Sequence, residues 1–284
     1  MAVDLHTHST ASDGSDPPAV LVEKAVAARL RAVALTDHDT LDGIEEAQLA
    51  ADRVGIELVP GVELSLEWSR GGMHMVVLWL PSAPGPLQDR LAELQRARAM
   101  RNQHMVERLQ HLGMEIDLTD VEAESGTGVA GRPHMAAVMV RKGYVPDVET
   151  AFDEYLAGGR PAYVGRARLT PEEGVGLARQ SGAVPVLAHP HTLGVDNRFE
   201  MAALLERLVS AGLAGIECYY GTYDQPGRNG MVAMARRFGL IPSGGSDYHG
   251  TYKADVRLAT GKVGIPVADD VLEELRPARQ PAGR

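Results

Sequence analysis

The chain has 284 residues, of which 44% are apolar and 5% aromatic, with 28 basic against 38 acidic side chains and a formal net charge of −10. This length suits one large domain or a domain carrying an insertion, and the acidic balance excludes broad electrostatic capture of duplex DNA. No apolar run approaches the ~18–20 residues of a membrane span, no basic-then-apolar leader opens the chain, and the single cysteine, Cys218, permits no intrachain disulfide, so a cytoplasmic, reducing setting without membrane contact is expected.

In chain order, "MAVDL" reads as a strand and "PPAVLVEKAVAARL" as a helix opened by Pro17 and Pro18. "RAVALTD" is a second strand, and "LDGIEEAQLAADRVG" a second helix closed by Gly55. "IELVPGVELSLEW" is a third strand region, and "SRGG" turns into "MHMVVLWLP". From residue 84 the rhythm changes to helical patterns, so residues 84–165 read as a helical insertion. Alternation resumes with the helices "TPEEGVGLARQSG", "MAALLERLVSAG" and "NGMVAMARRFG" and the strands "VPVLAHP", "AGIECYY" and "LIPSGGSDYH". Strand–helix alternation predicts parallel strands with right-handed crossovers. No glycine-rich dinucleotide turn follows the first strand, which favours a closed barrel. Residues 1–83 and 166–275 form the expected barrel domain, and 276–284 a frayed tail.

Ionisable residues gather where apolar runs stop. "VDL" leads to His6 and His8, "AVALT" to Asp37, His38 and Asp39, "LVPGV" to Glu63, "PVLA" to His189, and "LIPSGG" to Asp247 and His249. In a parallel barrel these ends share one face, where active sites are built. Side chains two apart on a strand point the same way, roughly 6–7 Å apart, so the pairs His6/His8 and Asp247/His249 can each serve one cation. Gathering that many unpaired ionisable groups without a ligand would be costly. His74 is different, because it begins an apolar run instead of ending one.

The segments "DLHTHSTASDG", "ALTDHDT", "PGVELS", "HMVVLWL", "LAHPH" and "GSDYHG", from residue 4 to 250, resemble the PHP (polymerase and histidinol phosphatase) family. The resemblance implies a distorted (β/α)7 barrel with a helical insertion subdomain. It also implies nine ligands around two or three divalent metal ions. The first would be held by His6, His8, Glu63 and Asp247, the second by Glu63, His74 and His189, and the third by Asp13, His38 and His249. Nitrogen and oxygen donors without thiolate suit manganese, zinc or iron. Metals about 3.5–4 Å apart can bridge a hydroxide for in-line attack on phosphate, with no serine or cysteine nucleophile.

The family's G-R-P-H segment falls on "GRPH" here. Arg132, beside a proline-started helix, is expected to bind phosphate, and His134 to donate a proton. His191, two residues past His189, is expected to face the same cavity. RNA-processing relatives carry Arg-Tyr after this His-Pro, whereas this chain reads "HPHTLGV". Asp37 and Asp39 are expected to orient ligands by hydrogen bonds, and Tyr219 and Tyr220 to flank a base or to pack. The implied activity is a metal-dependent phosphoesterase acting on nucleotide monoesters, such as a nucleoside 3',5'-bisphosphate, or on short RNA 5' ends. Alternatives are a histidinol-phosphate phosphatase and a catalytically silent PHP domain that binds metal or nucleotide. An amidohydrolase with a bridging lysine is disfavoured, since none of Lys24, Lys142, Lys253 and Lys262 ends a strand. The sequence leaves the oligomeric state open.

Overall fold

The computed structural model describes residues 2–125 and 130–279. It divides into two compact units, Met1–Leu91 with Arg168–Arg284, and Ala92–Ala167. The boundary expected at residue 84 falls later, inside a long helix, α3 (Pro86–His111).

The first unit is a mixed sheet of eight strands with helices outside it. The strands are β1 (Ala2–Asp4), β2 (Leu30–Leu35), β3 (Glu57–Ser65), β4 (His74–Leu78), β5 (Val184–Leu187), β6 (Gly215–Tyr220), β7 (Ile241–Gly245) and β8 (Val267–Ala268), in the order β7-β6-β5-β4-β3-β2-β1-β8. The helices are α1 (Pro18–Ala27), α2 (Ile44–Val54), α7 (Pro171–Gln180), α8 (Arg198–Ala211), α9 (Gln225–Arg237) and α10 (Asp270–Leu275). The segment after β1 continues past β7 and closes the barrel: Leu5 N donates to Gly244 O at 3.3 Å, Asp247 N to His6 O at 3.0 Å, and His8 N to Tyr248 O at 2.9 Å. Gly245 makes the closure possible, because a β-carbon there would lie 2.4 Å from Cβ of His6.

Side chains alternate as strand geometry requires. Ala32 and Ala34 of β2 join an inner cluster with Val3, Val59, Val76 and Val186. Val33 and Leu35 face outward onto Leu21, Ala25, Ala47 and Ala51 of α1 and α2. Helix signals act as the sequence indicates. Gly55 ends α2 at φ +75°, where glycine carries no β-carbon penalty. Thr170 and Glu173 cap α7 reciprocally, with Pro171 as its first residue.

Not all strands are parallel. β4 is antiparallel to both β3 and β5, and β8 is antiparallel to β1. The connection from β3 to β4 is a short turn in which Leu66 N donates to Met73 O at 3.0 Å, too short for a parallel crossover. The tail also differs from expectation. Arg276–Ala278 forms a 3-10 turn, and Arg276 bonds both Glu57 oxygens at 3.0 and 3.1 Å. Residues 280–284 of the expected tail lie outside the described residues.

The second unit has its own core, with Met105, Leu109, Val121, Met135, Val138 and Leu156 among its buried residues. It contains most of α3, α4 (Leu118–Ser125), α5 (Arg132–Arg141) and α6 (Val148–Ala151), the last running into a single π turn at Phe152–Leu156. His104 and His111, seven apart on α3, are both exposed. Among the described residues no helix is long and apolar enough to cross a membrane.

Candidate metal centre

Glu63, 1% exposed on β3, is the hub of the first unit. Its Oε2 lies 3.1 Å from Nε2 of His6, 3.1 Å from Nε2 of His8 and 3.2 Å from Nδ1 of His38. Its Oε1 lies 3.0 Å from Nδ1 of His74 and 2.8 Å from Nε2 of His189. Asp247 presents Oδ1 to Nε2 of His8 and to Nδ1 of His249, each at 3.4 Å. Asp13, half exposed in a turn, reaches Nε2 of His249 at 3.3 Å and Nε2 of His38 at 3.7 Å.

The reversed direction of β4 explains His74. Ser65 of β3 pairs with His74, so the start of β4 lies at the end of β3, where Glu63 sits. A candidate ligand that begins its apolar run thus reaches the face where the other strands end. Backbone strain aims further side chains there. Asp39, His189 and Asp247 all have positive φ, at 54°, 23° and 57°, a conformation that costs of order 1–3 kcal/mol in a non-glycine residue and collects at functional sites.

Among the described residues, three candidate ligand groupings have donor atoms within 4.8 Å of one another: His6, His8, Glu63 and Asp247; His8, Asp13, His38 and His249; and His38, Glu63 and His74. They share His8, His38 and Glu63, so the three groupings are contiguous. Five buried atoms in them have no hydrogen-bond partner: His6 Nε2, both ring nitrogens of His8, His38 Nδ1 and Glu63 Oε2. Buried polar atoms are costly when unpaired, and these five converge as ligand atoms do. Divalent cations fit this nitrogen and oxygen donor set.

The charges interlock. Burial opposes ionisation of Glu63, but His38 and His6 outweigh it and hold the carboxyl well below its usual range. Asp247 is likewise held well below its usual range, against burial, chiefly by the ring of His8, whose Nε2 lies 3.4 Å away, and by the charge of His6. Burial would lower His8, yet Asp247 and Glu63 push it up to about 9. His38 is pushed down to about 4, with burial prevailing over Glu63.

Other residues fix the candidate ligands. Nδ1 of His189 meets Thr192 Oγ1 at 3.0 Å, and Nδ1 of His249 meets the Asp247 carbonyl at 2.9 Å, so each presents Nε2 to the centre. Asp4, fully buried on β1, accepts from Ser246 N at 2.8 Å, Ser246 Oγ at 2.6 Å and Ala259 N at 2.8 Å, anchoring the residue before Asp247. The Asp13 turn is latched by Ser15 N donating to His249 O at 3.1 Å and by Asp16 accepting from Lys24 and Tyr248 at 2.7 and 2.8 Å.

Asp37 accepts from Ser9 and Ser12 at 2.6–2.7 Å, and Asp39 from Ser65 N and Oγ at 2.8 and 2.9 Å, so they tie loop to loop. Tyr220 donates its hydroxyl to Asp247 Oδ2 at 2.7 Å, and Lys253 meets the same oxygen at 2.7 Å. Lys253 therefore does reach the centre, from a 3-10 turn after β7 and not from a strand end. Its distance from any apolar run hid it in the sequence. Glu217, which bonds Nδ1 of His6 at 2.9 Å, was also missed; a lone acid in the apolar strand "GIECYY" was the available signal. Cys218, its neighbour, is fully buried, and burial and Glu217 push its thiol up to about 12, so it is inert.

A cavity of about 330 Å³ opens onto the cluster, lined by His38, Glu63, His74, His189, Tyr220 and Lys253 among others. His191 lies close by, its ring 6.2 Å from that of His189 and its Nδ1 2.9 Å from the Tyr223 hydroxyl. Arg132 and His134 belong to the second unit. Arg132 donates to Leu156 O at 3.3 Å and lies over the Phe152 and Tyr163 rings, while Nδ1 of His134 accepts from Gly131 N at 3.1 Å.

A family model described as the PHP domain matches residues 4–156. The chain belongs to the PHP family. A 3',5'-nucleoside bisphosphate phosphatase of Chromobacterium violaceum is 34% identical to this PHP protein over 253 residues, 87% of each chain. The 5'-3' exoribonuclease Rnm of Escherichia coli is 32% identical over 256 residues, 87% of this chain and 84% of its own. A solved structure from Bifidobacterium adolescentis, assigned as a metal-dependent phosphoesterase, superposes with a TM-score of 0.76 at 28% identity, covering 98% of this chain and 96% of its own. The nearly closed barrel with its helices is thus the PHP fold, and the PHP protein is a hydrolase of the metal-dependent phosphoesterase class.

Proposed function

We propose that this PHP protein hydrolyses phosphate monoesters of nucleotides, with a nucleoside 3',5'-bisphosphate or the 5' end of a short RNA as its substrate class. The observation that carries the reading is the set of five buried, unpartnered nitrogen and oxygen atoms around Glu63. The names of the two relatives supply the nucleotide. His6, His8, Asp13, His38, Glu63, His74, His189, Asp247 and His249 hold two or three cations, of manganese, zinc or iron. Bound there, such ions supply Lewis acidity toward phosphate oxygens and acidify water.

The chain's own groups do the rest. Asp13 links the outer histidines His38 and His249 while staying half exposed. In the tautomer where Nδ1 of His191 accepts from the Tyr223 hydroxyl, 2.9 Å away, Nε2–H is left to bond a phosphate oxygen or the departing alcohol. Gly131 N–H fixes His134 as the Nε2–H tautomer, and burial lowers its pKa, so it serves as a neutral hydrogen-bond donor. Arg132 grips phosphate. Burial first, then Arg132, Arg166 and Arg98, push Arg101 down to about 10, which places Arg132 among other cations. We place the enzyme in the cytoplasm, where the Cys218 thiol stays reduced.

Phosphate release measured over nucleoside 3',5'-bisphosphates, nucleoside monophosphates, short 5'-phosphorylated RNA and histidinol phosphate tests this. Manganese-dependent release from the nucleotide or RNA members, abolished by EDTA, is expected. Release from histidinol phosphate alone, or binding without release under every metal, contradicts it.

A further inference from the structure

Glu217 lies outside all three candidate groupings, yet its two oxygens serve two of the proposed ligands, His6 and His189, at once. It is 2% exposed and stands third in β6. Oε2 accepts the backbone N–H of His189 at 2.6 Å, and Oε1 lies 2.9 Å from Nδ1 of His6. The His189 amide can only donate. A carboxylate has only acceptors, so Nδ1 of His6 must carry the proton of its bond. That leaves the lone pair of His6 on Nε2, the atom 3.1 Å from Glu63 and 3.7 Å from Asp247. The amide bond to His189 holds a residue whose backbone sits at φ +23°, ψ +63°, where a β-carbon is crowded. A single buried carboxylate therefore fixes a tautomer on one side of the centre and a strained backbone on the other.

We propose that Glu217 is a positioning residue that prepares His6 and His189 together for the same cation cluster. This rests on the reading of the cluster as a metal centre. Glu217→Gln separates the two tasks without changing shape. Its one amide oxygen can satisfy the His189 N–H, but its NH2 then faces Nδ1 of His6. Nδ1 becomes the acceptor and the proton moves to Nε2, the ligand atom. Turned the other way, the NH2 opposes the His189 N–H and the strained turn loses its anchor. Gln cannot meet both demands.

The test compares zinc affinity of wild type and Glu217→Gln by competition with a chromogenic chelator. It is paired with long-range 15N–1H spectra of zinc-loaded, 15N-histidine-labelled protein and with thermal melting of the chelator-treated forms. Zinc affinity is expected to fall about 10- to 100-fold in the Gln protein, and the Nδ1-protonated, Nε2-ligated pattern of His6 to be lost. Equal affinity with an unchanged His6 pattern overturns the proposal. So does a variant that merely melts earlier while binding zinc normally, since that is packing alone. Should the Gln protein not fold, the wild-type spectrum decides: His6 ligated through Nε2 supports the role and ligation through Nδ1 overturns it. Wild type that takes up no zinc overturns the metal centre itself, a failure distinct from one in which wild type and variant bind equally.

Discussion

Oε1 of Glu63 lies 2.8 Å from Nε2 of His189, two atoms brought together across 126 residues of chain. The same carboxylate meets His6, His8, His38 and His74. Glu63→Gln should therefore disturb every ligand grouping it joins. Metal content by elemental analysis should drop, and phosphate release should fall by more than the about 100-fold expected of an outer-shell partner. Retention of full metal content would remove Glu63 from the hub.

Asp13→Ala should act differently, because Asp13 is 55% exposed in its turn. Chelator-treated protein should keep its fold, with a modestly lower melting temperature from the lost contacts to His249 and His38. The loaded protein should hold one ion fewer and turn over slowly, since His38 and His249 lose their shared carboxylate. Full activity with a full metal complement would contradict the grouping of Asp13 with those histidines.

Protons and metal should compete for His8. Its folded pKa of about 9 stands above the ordinary histidine value of 6.5, so the protonated ring stabilises the metal-free fold fully below pH 6.5, and that stability is lost as pH rises toward 9. His38, at about 4, adds no change in that window, being neutral in both states above its ordinary value. The melting temperature of chelator-treated protein should therefore fall from pH 6.5 to 9, and saturating manganese should flatten the trend. At pH 7.5, metal binding should release protons, seen by calorimetry as a dependence on buffer ionisation enthalpy. A pH-independent melt with no proton release would contradict the interlocked charges.

Much of the site was legible in the sequence, and the reasons are local. His6 and His8 share a face because extended chain alternates, and Asp247 and His249 follow a glycine-rich strand end for the same reason. The antiparallel run of β4 was legible only in part: a hairpin turning at SRGG can carry His74 back toward Glu63, but the four apolar residues after His74 fix no register. The positive φ of Asp39 and Asp247 was hidden too, since neither is glycine. Lys253 and Tyr220 act on Asp247 from outside any motif, and only the folded chain shows that both reach the same oxygen.

Gly245→Ala should separate closure of the barrel from its chemistry. The added methyl meets Cβ of His6 at 2.4 Å, so the first segment must shift, at a cost of about 1–3 kcal/mol. His6 would move with it. A lower melting temperature together with weaker metal binding is expected in the same variant. Unchanged values of both would show that the barrel ends are not held so closely.

Anomalous diffraction from crystals grown with manganese tests the central claim most directly, since it locates ions without relying on turnover. Peaks are expected within coordination reach of Glu63 and its histidines, with Asp247 and Asp13 as further ligands. A map with no anomalous peak among these side chains, from crystals soaked in excess manganese, would contradict the account.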